Sequence, residues 1–445
     1  PNMFFSTKIS EMKKKISTVL FILPWFSIAS FAQLAGNAGK IDTASMVNDQ
    51  KKIDVKHITL DLRFDWTKKQ AYGSAEIKLS LLKDADVVTL NAGMISISSI
   101  NLNNDRFLPF KYDSMAKNTN LVIELDRLYH SGGELTLKIA YHTNWINKTD
   151  PNNIWGSNGM GIRFFEPGYT EPKRRRQIWS SGEPESNRLW FPCHDVQYDL
   201  RTTDILLTVE EPFMAISNGK LVGKRTNADS STTFHYKMDQ PYPNAQTSVV
   251  VGEYIPVKQM YQDIQLNSFG YPDEVEAVRA SVERLPDMVK FYAEYTTVKY
   301  PYDNYSQAFV QEIPAWIGNA AFSTISENMV DDFGTHRDFL YLWDVVEGES
   351  LAHQWFGSLI AVKNWKDIWL SKGFARYFSE LYDEYKNGRD EFLLYQHSFD
   401  IGSCLGDWNA GIRQPIVSSD DETALSSISG NFPYLRAAVM LHMLR

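Results

Sequence analysis

The sequence predicts a multidomain protein in which an antiparallel β-rich unit, a saddle or sandwich, precedes a mixed α/β unit. Three observations predict it. From Ile53 to about Pro256, runs such as H-I-T-L-D-L-R-F-D-W, A-E-I-K-L-S-L, L-V-I-E-L and E-L-T-L-K-I-A-Y alternate apolar and polar residues, the period of strands with one buried face. From Asp273, V-E-A-V-R-A-S-V-E-R-L-P-D-M-V-K-F-Y-A-E-Y carries apolar residues at helical spacing. Between Val345 and Phe378 the chain reads as helix, turn, helix, with His353 in H-Q-W-F-G and Lys372 in W-L-S-K-G-F-A.

Composition bounds the rest. The 445 residues are 43% hydrophobic and 22% charged, an ordinary globular balance with two or three domains expected. A net charge of −9 gives no sign of a nucleic-acid partner, and the basic run Lys173 to Arg176 reads as a solvated turn. Cys193 and Cys404 are far apart in sequence and read as buried thiols, not as a bridge or metal ligands.

The first segment reads as a targeting signal, with translation beginning at Met3 or Met12. Lys13, Lys14 and Lys15 precede an apolar stretch that ends at Ala32, and Ser30 and Ala32 supply the small residues of a cleavage site before Gln33. Pro24 interrupts the stretch, which argues against a membrane anchor. The expected divisions are a signal region over 1–32, a small polar lead-in over 33–52, the β unit over 53–256 and the α/β unit over 257–445. A secreted or periplasmic protein without a membrane span in its mature chain follows. Within the β unit, Asn103-Asn104-Asp105 and Ser131-Gly132-Gly133 mark turns. Within the α/β unit, short strands are expected near Gln307 to Gln311 and Phe322 to Ile325, flanking A-W-I-G-N at Ala315 to Asn319. Helical residues follow Phe378 to about Phe399.

The helix, turn, helix stretch has the frame of a metal site. Residues four apart share a helix face; in H-E-x-x-H they are the ligands, and the intervening glutamate is the general base. Here His353 stands at the second ligand position, Glu349 at the first and Ser350 at the base position, and 18 residues separate His353 from Lys372.

Together, H-Q-W-F-G, the run from Trp365 to Ala375 and their spacing resemble the aminopeptidase N family of zinc metallopeptidases, the gluzincins. The resemblance extends to Q-I-W-S-S-G-E-P-E-S-N-R-L-W-F-P-C-H-D from Gln177 and to Y-L-R-A-A-V-M-L-H-M-L-R from Tyr434. It implies a thermolysin-like α/β domain behind the N-terminal β domain, and a helical C-terminal domain before which the given sequence stops. It implies that Glu183 binds a substrate α-amino group, that Tyr434 stabilises an oxyanion, and that Lys372 replaces the third, glutamate zinc ligand. With S-T-I-S-E-N held in register, A-W-I-G-N matches the loop G-x-M-E-N, so Gly318 replaces a second amine-binding glutamate and Asn319 is kept.

Only His353 is a standard ligand. A protonated lysine repels Zn²⁺, and serine cannot serve as a carboxylate base. An inactive pseudopeptidase follows, binding peptide or protein and holding no cofactor, with Glu349 and Lys372 expected to pair across the space of the missing metal. One competing reading is an active zinc aminopeptidase with an unusual ligand set built on Glu349 and His353. The other is a serine hydrolase using Ser350 and His353, which share a helix face.

Overall fold

The computed structural model describes residues 51–103, 106–114, 119–144, 161–313, 315–417 and 432–445. The signal region and nearly all of the lead-in lie outside the described residues.

The first unit is built on an eight-stranded sheet whose strands run, in spatial order, Lys220–Thr226, Thr232–Pro243, Leu200–Val209, Ile53–Asp65, Gln70–Leu81, Glu134–Thr143, Ile95–Leu102 and Arg106–Phe107. Alternation sets its register. Ile58 faces Ile77 and Leu60 faces Ala75, all four fully buried, and a slip of one residue would turn this row to solvent. One pair departs from the antiparallel expectation: Ile53–Asp65 runs parallel to Leu200–Val209, with Thr59 opposite Asp204. Alternation encodes which face is buried, not the direction of the neighbour.

A four-stranded sheet (Met214–Ser217, Val249–Gly252, Gln177–Ser181, Gly161–Phe165) and a three-stranded sheet (Ala85–Asn91, Asn120–Tyr129, Phe110–Tyr112) close over the same core. That core continues into the second unit through Tyr271, Val310 and Phe322, so the two units share one apolar interior. Cys193 is buried, Cys404 is partly buried, and neither forms a disulfide.

The second unit has a mixed five-stranded sheet in the order Ile255–Tyr261, Ile264–Gly270, Asn304–Val310, Phe322–Ser326, Trp316–Asn319. Against it pack α1 (Val275–Ser281), α2 (Leu285–Thr296) and, following α3 (Phe333–Asp338), α4 (Leu340–Ala352); α3, α5 (Trp369–Asn387), α6 (Ser398–Asn409) and α7 (Ala437–Leu444) pack on other helices. In α2 the helical spacing buries Leu285, Met288, Val289 and Tyr292, and each such side chain contributes about 1.5–3 kcal/mol. Helix α5 stops at Gly388, whose φ of 96° is a backbone state that glycine adopts without strain. Helical structure then resumes through α6, beyond the expected end near Phe399. No helix among the described residues is long and apolar enough to cross a membrane.

The basic run Lys173 to Arg176 is not a free solvated turn. Arg174 pairs with Glu312. Arg175 reaches Asp273 at 2.8 Å and Glu274 at 3.0 Å and lies 4.1 Å over the Tyr271 ring. Arg176 bonds Glu166 at 2.8 Å. Arg174 and Arg175 thereby clip the first unit to the second, through partners distant in sequence that composition could not reveal. Beside them, the Gln311 amide N–H donates to Gln177 at 2.8 Å and the Trp179 indole donates to the Gln311 carbonyl at 3.0 Å.

Candidate functional site

Four pieces of chain converge on one buried pocket. Helix α4 carries Glu347, Glu349 and Ser350, and His353 caps its C-terminus. Helix α5 presents Lys372, Arg376 and Glu380, one turn apart and therefore on one face. The edge strand Trp316–Asn319 brings Trp316 and Gly318. The first unit contributes Glu183, from the loop after Gln177–Ser181, held by the Ser186 hydroxyl donating to the Glu183 carbonyl at 3.1 Å.

The expected Glu349–Lys372 pair is not formed. The buried Lys372 Nζ donates to both carboxylate oxygens of Glu183, at 2.9 and 3.1 Å, and sits 4.8 Å from the centre of the Trp316 ring. Glu349 instead has Arg376 as its cation, 3.8 Å away, and the Trp316 indole as a hydrogen-bond donor. The expectation weighed only residues at the three ligand positions. It missed that an arginine one helical turn beyond Lys372 reaches the same carboxylate, and that a carboxylate from the first unit reaches the lysine.

His353 is wedged between two glycines. A Cβ on Gly318 would lie 2.5 Å from its Nδ1, and one on Gly357 would lie 2.3 Å from its Nε2. Gly357 also has a φ of 149°, inside the region that favours glycine. The Trp316 ring stands edge-on to the imidazole at 5.5 Å. Burial, and then the Lys372 charge, push the histidine well below its usual range, so the ring is neutral, and its buried Nδ1 has no hydrogen-bond partner among the described residues. Gly318→Ala would drive a methyl against both rings, 2.7 Å from Trp316 Cζ3. The expected cost is about 1–3 kcal/mol, read as a lowered urea midpoint; an unchanged midpoint would contradict this packing.

Beneath these residues, Arg376 gathers Asp400 at 2.8 Å, Glu380 at 3.0 Å and Glu349 at 3.8 Å, with Gln396 at 3.4 Å. Three buried carboxylates thus share one buried guanidinium. Burial pushes Glu349 up to about 7 against the opposing pull of Arg376, and it raises Glu380 well above the usual carboxylate range. Ser350 donates to the Glu347 carbonyl at 2.9 Å and lies 3.4 Å from the Tyr305 hydroxyl, the local back-bonding of a mid-helix serine. No hydrogen bond to His353 is found for it among the described residues. Tyr434 lies near Glu183 and Glu349; burial, then those two carboxylates, raise its hydroxyl far above the ordinary tyrosine range, which keeps it protonated. Asn319 is fully buried, and its carbonyl accepts from Gln354 at 3.0 Å.

Glu347 gives the site a pH signature. Burial raises it to about 8, partly offset by the Gln307 amide donating at 2.7 Å. An acid whose folded pKa lies above its unfolded value costs stability as pH rises through that interval. Glu347 therefore withdraws stability from about pH 4.5 up to about pH 8, and each unit of separation is worth about 1.4 kcal/mol. The Glu347→Gln protein should lose less of its melting temperature between pH 5.5 and pH 8 than the parent does. Equal losses would contradict the assignment.

A zinc ion does not fit this donor set. Where the frame calls for an anionic third ligand, an ammonium is fixed by its own carboxylate, and the Trp316 indole lies against both that ammonium and His353. Among the described residues no three of His, Cys, Asp and Glu stand together so as to hold a metal ion. The sequence reading also missed Trp316, Arg376, Glu380 and Asp400. The i, i+4 spacing of Arg376 and Glu380 was the available signal; nothing in the sequence pointed to Asp400.

Comparison with known proteins places these features in a family. Residues 54–244 match the peptidase M1 N-terminal domain, and residues 280–445 match the peptidase family M1 domain. The chain is 30% identical over 218 residues to the fruit-fly transcription initiation factor TFIID subunit 2, covering 48% of this chain and 17% of that protein. It is 21% identical over 329 residues to rat endoplasmic reticulum aminopeptidase 1, covering 69% and 33%. With human glutamyl aminopeptidase it shares 24% over 311 residues, covering 64% and 31%. The chain spans a third or less of the length of these relatives.

Proposed function

This chain belongs to peptidase family M1, and from that premise we propose that it is a pseudopeptidase, a member that keeps the peptidase fold to bind peptide or protein without cleaving it. The observation that carries the reading is the buried Lys372–Glu183 ion pair set against Trp316, at the place where the family's third zinc ligand belongs. Peptide hydrolysis in such a site needs a polarising metal and a base. Loss of general-base catalysis alone typically costs about 10²–10⁴-fold in rate, and the hydroxyl at the base position, Ser350, is bonded to its own helix. Among the relatives, one is named as a subunit of a transcription initiation factor and others as aminopeptidases, which is compatible with use of this fold in assembly as well as in cleavage. Export through the signal region over residues 1–32 is part of the same proposal.

The test is turnover. The purified protein, with and without added Zn²⁺, is assayed against alanyl and leucyl chromogenic substrates. Release at the buffer rate in both conditions is expected. Chelator-sensitive release that exceeds the buffer rate would overturn the reading.

A further inference from the structure

We propose that strand Lys220–Thr226, at the open edge of the eight-stranded sheet, takes up an extended acidic peptide as an additional strand. The strand is the last in its sheet and, among the described residues, pairs only with Thr232–Pro243. The N–H and C=O groups along its far rim are therefore available to a further strand. Every residue in it except Gly223 is exposed, with Leu221 at 44% and Val222 at 49%. The edge is fixed before any partner arrives. The Asn304 amide donates to the Gly219 carbonyl at 3.0 Å, and pairing sets Lys220 opposite Lys237 and Arg225 opposite Thr233. A strand held in this way loses little freedom on binding.

Register sorts the side chains of this edge into two faces. Tyr236 and Phe234 are buried, so Leu221 and Lys224 opposite them lie on the core side, where the Lys224 ammonium stands 5.3 Å over the Phe234 ring. Lys220 and Arg225 lie on the other face. Neither has a carboxylate partner among the described residues, and Lys237, opposite Lys220, already has Asp239 at 2.8 Å. A second copy of this chain is a poor occupant. Antiparallel edge pairing, end to end, would set Lys220 against Arg225, and like charges directly opposite are destabilising. The bulge at Val222 guards against the same event. An acidic strand converts both cations into attraction. Lys220 and Arg225 stand four pairing levels apart, from Lys237 to Thr233, with Leu221 and Lys224 one level inside each. The segment that fits reads acidic, apolar, any, apolar, acidic, and this pattern is the same in either chain direction. Its apolar residues cover Leu221 and the Lys224 stem.

A designed peptide tests it. Fluorescein-labelled Thr-Glu-Val-Thr-Val-Glu-Thr is titrated with the purified protein and followed by anisotropy, beside a peptide with lysine at both glutamate positions. Saturable binding of the acidic peptide below about 100 µM is expected, and none of the lysine peptide. In the Lys220→Glu/Arg225→Glu protein the acidic peptide should bind at least about tenfold more weakly, and the lysine peptide should now bind. Amide exchange in the parent protein gives a readout that needs no variant. Saturation with the acidic peptide should slow exchange within Lys220–Thr226 by at least about tenfold. Absence of saturable binding, equal affinity in parent and variant, or protection confined to other segments would each overturn the proposal. None of these readouts involves turnover or metal, and none of the edge residues belongs to the pocket. A positive peptidase assay would therefore defeat the pseudopeptidase reading and leave this result standing.

Discussion

Replacing Arg376 with methionine is expected to produce the largest loss of stability of any single change in the pocket, about 3–5 kcal/mol near neutral pH. The guanidinium is the sole cation within 4 Å of Glu349, Glu380 and Asp400 among the described residues. Removing it leaves like charges packed together away from water, and methionine supplies volume without charge. The loss should shrink on going to pH 5, because Glu349 and Glu380, already raised by burial, take up protons and cease to need a cation. Arg376→Lys should recover only part of the loss, since an ammonium cannot fork to Asp400 and Glu380 together. Urea titrations at pH 7.5 and pH 5 read both effects. A midpoint for Arg376→Met equal to that of the parent at pH 7.5 would show that the carboxylates are solvated and that the cluster is not structural.

The second large effect is an asymmetry across the Lys372–Glu183 pair. Glu183→Gln leaves an enclosed ammonium facing a neutral amide and the indole, and should cost about 3 kcal/mol. Lys372→Met keeps the apolar stem and leaves a carboxylate that is 12% exposed and can be reached by water, so its cost should be nearer 1 kcal/mol. The double variant should be more stable than Glu183→Gln alone. Equal losses in the two single variants would mean that the lysine is as accessible as the glutamate. Greater loss in Lys372→Met would place the burden on its packing and not on its charge.

Much of this architecture was legible from periodicity. The strands of the first unit announced themselves through residues such as Ile58, Leu60 and Leu62, whose alternation fixes the buried face. Helix α2 did so through Leu285, Met288, Val289 and Tyr292. The parallel pairing of Ile53–Asp65 with Leu200–Val209 was not legible, because period two is the same in either direction. In the pocket, helical spacing puts Glu349, Ser350 and His353 near one another, and the family resemblance is what added Lys372, from the next helix, to the same frame.

The partners of those residues were not readable. Glu183 is 189 positions from Lys372, and Asp400 is 24 positions from Arg376. Which carboxylate meets which cation is decided by tertiary placement. Pairing Glu349 with Lys372 satisfied charge neutrality in a pocket imagined with two ions. The pocket has more: Glu183 takes the lysine, and Arg376 takes Glu349 along with Glu380 and Asp400. Gly318 reads in the sequence as a lost side chain. In the structure it is also the space that lets Trp316 and His353 close together.

Zinc stoichiometry tests the central claim most directly. The purified protein is equilibrated with micromolar Zn²⁺, dialysed, and its metal content measured per chain by elemental analysis, with Glu349→Ala and His353→Ala alongside. With Lys372 bound to Glu183 and His353 wedged between Gly318 and Gly357, the parent should retain no stoichiometric zinc and neither variant should change that. One zinc per chain, lost in both variants, would contradict the account and make Glu349 and His353 metal ligands.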